Sequence, residues 1–178
     1  MLLAIVLSFF LLDSVNYNPT YWEELSQSQK EDILNDDRIP KIVRSYYYGC
    51  MSATDDDNTF ALLDVISSPN NKNEEMLYLH LLSQICIHAD GALSEVLGAY
   101  CIKMVLSDPD YVLAYIIRDE SLSTMYESYI GYELAMSEDP DDAYKSFSNS
   151  IKSKARLISG NELNTFLAAI FDALMSSR

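Results

Sequence analysis

Basic side chains are scarce in this sequence. Twelve Lys and Arg stand against 27 Asp and Glu, a formal net charge of −15 over 178 residues. Such a chain repels phosphate backbones and anionic lipid surfaces, which argues against nucleic acid and membrane surfaces as partners. A basic protein is the partner that this charge favours, and solubility is the plainer use of the same charge. Glycine and proline are also few, five of each, which argues against a loop-rich β-protein. No Gly-x-Gly occurs anywhere, so a glycine-rich phosphate loop is excluded, and no serine sits in a Gly-x-Ser-x-Gly turn.

Metal ligands are equally sparse. The two histidines, His80 and His88, lie eight residues apart in one expected helix, about 12 Å along its axis. Zinc sites on helices take ligands one turn apart, and neither histidine has such a partner. Asp55-Asp56-Asp57-Asn58 begins like a calcium loop. The glycine and glutamate required at its sixth and twelfth positions are replaced by Phe60 and Ile66. No metal, cofactor or catalytic residue is therefore assigned, and the expectation is a protein that is not an enzyme. A hydrolase using paired carboxylates remains the catalytic alternative, because such acids meet only in the fold.

Three cysteines, Cys50, Cys86 and Cys101, suit neither an oxidising nor a reducing compartment cleanly, since an odd number leaves one thiol over. Cys86 and Cys101 fall on neighbouring expected helices and can pair. Cys50 can pair with either, or all three can stay reduced as small apolar side chains.

There is one long apolar run, Leu2 to Leu12, interrupted only by Ser8. It is too short to span roughly 30 Å of hydrocarbon as a helix. Its length fits the hydrophobic core of a secretory signal, so residues 1–16 are expected to be a signal peptide and residues 17–178 a single helical domain. No Lys or Arg precedes the run, which a truncated start explains. Export to the periplasm or the extracellular space is the expectation. The alternative is a cytoplasmic protein whose apolar first helix packs into the core.

What the sequence does contain is helix signals. Ser107-Asp108-Pro109-Asp110 and its echo Glu138-Asp139-Pro140-Asp141 each read as a helix start. Asp caps free N–H groups, Pro occupies the first helical position, and a following acid suits the helix dipole. Ser26 or Ser28 is expected to cap a weak helix that ends at Asn35-Asp36-Asp37. Ile39, Ile42, Val43, Tyr46, Tyr47, Cys50 and Met51 share one face, predicting a helix through Met51, with Pro40 in its first turn. Gly49, off that stripe, is expected to admit a close neighbour. Phe60 to Ile66 form a short helix.

Asn73 is expected to cap a helix from Met76 to Ala89 that is apolar almost all round and hence central. Asp90-Gly91 ends it. Leu93 to Val105, Val112 to Ile117, Leu122 to Met136, Tyr144 to Ile158 and Leu163 to Met175 follow. Gly160 is expected to close the penultimate helix and Asn161 to cap the last. The fold class is thus all-α, with about eight antiparallel helices. The irregular spacing of Pro40, Pro69, Pro109 and Pro140 leaves two arrangements open: a short HEAT-like array of stacked hairpins, or a compact helical bundle.

Tyrosine is the one residue in excess, with 13 copies. Tyr46-Tyr47-Tyr48 is consecutive, so at least one ring must leave the core face. An exposed tyrosine beside acids suits protein contacts, because the ring offers area and a hydroxyl at little entropic cost. Tyr48, Asp55, Asp56 and Asp57 are accordingly the candidate partner-binding residues. The expected function is non-catalytic binding of another protein, in the manner of an inhibitor or immunity protein acting on a basic target. A structural or assembly component of the cell envelope is the alternative.

Overall fold

A computed structural model describes residues 17–178; the expected signal peptide lies outside the described residues. Among them are nine α-helices and no strand. They are α1 (Gln27–Leu34), α2 (Lys41–Tyr47), α3 (Asp57–Ile66), α4 (Lys72–His88), α5 (Gly91–Ser107), α6 (Pro109–Ile116), α7 (Glu120–Ala135), α8 (Pro140–Lys154) and α9 (Gly160–Ser176). A single 3₁₀ turn, Trp22–Glu24, precedes them. Buried apolar side chains from all nine helices join one connected core.

Both Asp-Pro starts form as the sequence predicts. Asp108 accepts the N–H of Tyr111 at 3.1 Å and Asp139 that of Asp142 at 3.0 Å, each with proline in the first turn. Asp108 is also the C-cap of α5, so α5 and α6 meet with no linker between them. Asp110 does more than face the helix dipole. Its buried carboxylate accepts the N–H groups of Arg156, Leu157 and Ile158 at 2.8–2.9 Å, fixing the connection between α8 and α9 onto α6.

Helix α4 is central, as expected. Its buried positions Leu77, Tyr78, Leu79, Leu81, Leu82, Ile85 and Cys86 cover most of its circumference, while Ile87, expected with them, is exposed. Helix α7 packs against α4, α5, α6, α8 and α9. Two glycines let it do so at backbone distance. A Cβ on Gly98 of α5 would lie 2.4 Å from the Tyr129 carbonyl oxygen, and one on Gly131 of α7 would lie 2.6 Å from Ala173 Cβ of α9. Helices α8 and α9 run antiparallel. Arg178, just beyond α9, pairs with Asp141 at the start of α8, and the Tyr144 hydroxyl donates to the Leu167 carbonyl.

The N-terminal described segment is held by rings. Trp22 is buried, edge-on to Tyr47, and Tyr21 packs against Tyr111 and Tyr115 of α6. Arg118 lies 4.2 Å above the Tyr21 ring and pairs with Glu24.

Several boundaries differ from the sequence reading. Helix α2 stops at Tyr47, so Cys50 and Met51 lie in the loop beyond it. The Gly49 N–H bonds the Tyr46 carbonyl and the Cys50 N–H bonds the Ser45 carbonyl, with Gly49 at φ 70°. That is a left-handed helix stop that glycine adopts without strain. Nothing approaches the Gly49 Cβ position, so the glycine serves backbone conformation and not a close neighbour. Pro40 is the N-cap of α2 and does not lie within its first turn.

Asn71, not Asn73, caps α4, accepting from the N–H groups of Asn73 and Glu74 at 3.1 Å. Helix α8 ends at Lys154, leaving Ala155 and Ile158 outside it. Gly160 has no positive φ and is the first residue of α9. The cap of α9 is Ser159, in a reciprocal box with Glu162 that outcompetes Asn161.

Candidate protein-binding face

The loop after α2 carries the sequence-derived candidates. Because Gly49 turns the chain sharply at the end of α2, Tyr48 is left outside the core, 57% exposed. Its ring stands edge-on to Tyr47 at 5.3 Å, and Tyr47 in turn stands edge-on to the buried Trp22 at 5.6 Å. An exposed ring is thereby supported by a ring anchored in the core.

At the loop's other end the three aspartates divide their roles. Asp56 is the cap of α3. Its carboxylate accepts the Thr59 N–H at 2.8 Å and the Thr54 hydroxyl at 3.0 Å, and those bonds, the Thr59 N–H first, hold its pKa below the usual carboxylate range. Asp55 and Asp57 are exposed, and neither makes an ion pair among the described residues. The structure therefore places Tyr48, Asp55 and Asp57 as free surface groups on the two ends of one loop, and spends Asp56 on holding that loop to α3.

Two open grooves flank the loop. One, about 540 Å³, runs between α2 and α4 and is lined by Tyr46, Tyr47, His80, Gln84 and His88. The other, about 670 Å³, is lined by Lys41, Ile42, Cys50 and Asp56. Met51 and Ser52 belong to both. The four-residue spacing of His80, Gln84 and His88 puts them on one stripe of α4.

His80 is held in a network that the sequence does not reveal. Its Nδ1 lies 2.7 Å from Oε1 of Glu23, which also accepts the Tyr115 hydroxyl at 2.9 Å. Burial disfavours the Glu23 carboxylate, but His80, the backbone and Tyr115 outweigh it and bring its pKa down to about 2. The partners are 57 and 92 residues apart, so no local spacing signals them. The visible hint is only that Glu23 adjoins Trp22, the one tryptophan of the chain.

A second acidic cluster lies at the start of α4. Lys72 Nζ sits 2.6 Å from Glu75 and 2.5 Å from Asp108, and 5.0 Å from the Tyr111 ring centroid. Burial of Glu75 outweighs the pull of Lys72 and raises its pKa, while the two carboxylates overcome partial burial of Lys72 and raise that of the ammonium. Both groups belong to one ion-pair network tying α4 to the α5–α6 junction. The lysine ammonium bridges the two acids.

Among the described residues no three His, Cys, Asp or Glu side chains are placed to hold a metal ion, and no helix is long and apolar enough to cross a membrane. No family model, curated protein or solved structure matches the chain.

Proposed function

We propose that this protein binds another protein, a basic one, through the face built around residues 48–57. The observation that carries the reading is the pairing of an exposed, ring-supported Tyr48 with the unpaired Asp55 and Asp57 on a loop flanked by two grooves. Tyrosine supplies area with few rotors to freeze, and the grooves offer concave surface beside it. The formal charge of −15 favours encounter with a cationic surface. An inhibitor or immunity-like protein that enters a partner's basic cleft is the concrete form of this proposal. Export to the periplasm or beyond belongs to the same reading, supported by the apolar run Leu2 to Leu12.

The test is capture at low salt from an extract of the source organism, then titration of the purified captured protein. Affinity falls with ionic strength. Tyr48→Ala lowers it by about tenfold or more, as expected for an anchoring aromatic, and Asp55→Asn with Asp57→Asn slows association. Binding that ignores both salt and these substitutions overturns the proposal.

A second reading, self-assembly as an envelope component, is favoured by one observation. Tyr132 on α7 with Met136 at its C-cap, and Phe171 with Met175 on α9, are exposed apolar pairs four residues apart on helices that pack together. Concentration-dependent sedimentation of the purified chain at micromolar levels, abolished by Met136→Lys with Met175→Lys, supports this reading over the first.

A further inference from the structure

Cys86 near the end of α4 and Cys101 in the second half of α5 bring their sulfurs to 3.7 Å. Both side chains are buried. Cys50, exposed in the loop after α2, stands apart as the odd thiol. The Tyr129 hydroxyl of α7 donates to the Cys86 carbonyl at 3.2 Å, fixing that turn of α4 in place. Two thiols held in contact across a helix pair, 15 residues apart in the chain, have the sulfur–sulfur proximity from which a crosslink can close. The remaining motion is a closing of the sulfurs to a bond of about 2.05 Å, shared between two side chains.

We propose that Cys86 and Cys101 are a disulfide-forming pair that staples α4 to α5 when the chain meets a disulfide oxidant. The thiolate of one cysteine attacks the sulfur–sulfur bond of a small-molecule disulfide, forming a mixed disulfide and expelling one thiolate. The second protein thiolate then attacks the protein sulfur of that mixed disulfide and expels the other. The protein pair is oxidised, the reagent is reduced to two thiols, and the two protein protons end on them. Burial raises the Cys101 thiol pKa well above its ordinary value and shields both sulfurs. The first attack is therefore slow in the folded chain and fast while the chain is folding. The inference stands apart from the protein-binding reading and does not depend on it.

The experiment uses the full chain carrying Cys50→Ser, which removes the exposed thiol. The reduced protein is refolded with excess oxidised glutathione, and a second sample is treated with it after folding. The refolded sample is expected to lose the mass of two hydrogens, to have no free thiol in denaturant, and to yield one linked peptide containing Cys86 and Cys101. The closed form is expected to melt roughly 5–10 °C higher than the reduced form. The pre-folded sample reaches the same product much more slowly. In Cys86→Ser or Cys101→Ser backgrounds the lone partner is expected to keep its glutathione adduct. Stable glutathione adducts on both cysteines of the Cys50→Ser chain, or two free thiols after refolding in oxidant, overturn the proposal.

Discussion

Asp110 accepts the backbone N–H of Ile158 at 2.9 Å across 48 residues of chain, together with those of Arg156 and Leu157. One carboxylate thus satisfies three consecutive donors in an irregular segment with no helical partner of its own. Asp110→Ala is expected to cost about 3 kcal/mol, because the donors lose a charged acceptor in a half-buried place. Asp110→Asn keeps one acceptor oxygen and loses about half as much. Urea midpoints of the three proteins check the order.

The two close helix contacts predict a steric penalty of a different kind. Gly131→Ala drives its methyl against Ala173 and the Leu174 backbone, and Gly98→Ala against the Tyr129 carbonyl. Each is expected to destabilise by about 1–3 kcal/mol through forced separation of helices. Gly49→Ala meets no atom and costs about 1 kcal/mol from its left-handed backbone alone. Gly49→Asn recovers part of that loss, whereas asparagine at 131 makes matters worse. Thermal melts of the five variants separate the two causes.

Acid stability follows from Glu23. Its folded pKa, about 2, lies below the ordinary value of 4.5. A depressed carboxylate contributes stability that is present above the unfolded pKa and is lost as pH falls through the folded one. Stability is therefore expected to decline between about pH 4.5 and 2. Glu23→Gln flattens this limb without abolishing it, because Asp36 and Asp56 are depressed as well. Denaturant midpoints measured across that range for both proteins check the slope.

Buried inside the core, the Ser83 and Tyr126 hydroxyls lie 3.1 Å apart. Tyr126→Phe leaves Ser83 without that partner and is expected to cost about 1 kcal/mol. Adding Ser83→Ala to it restores stability toward wild type, since removing both members leaves no orphaned group. A double-mutant cycle by chemical denaturation measures the coupling.

The local devices were legible in the sequence, and the distant ones were not. Asp108 and Asp139 act within three residues of themselves, so their capping role can be read directly. The Ser159-Gly160-Asn161-Glu162 box was equally local, but a glycine beside an asparagine invites a helix-stop reading that the serine overrides. At Gly49 the apolar stripe runs on through Cys50 and Met51. Periodicity argues for helix there while backbone geometry ends it.

The candidate face was half visible. Tyr48 had to emerge from a run of three tyrosines, and the aspartates had to be polar. Their division into one cap and two free acids depends on hydrogen bonds to Thr54 and Thr59. The Glu23–His80–Tyr115 network, like the reach of Asp110 to the α8–α9 connection, joins residues that only the packed chain brings together.

With no side-chain layer where Gly98 and Gly131 touch their neighbours, α7 is locked in azimuth as well as height. Turning it about its own axis would drive bulk into α5 on one flank or α9 on the other. The row α5–α7–α9 therefore resists shear, and one helix can slide past the next only after its whole axis has lifted outward.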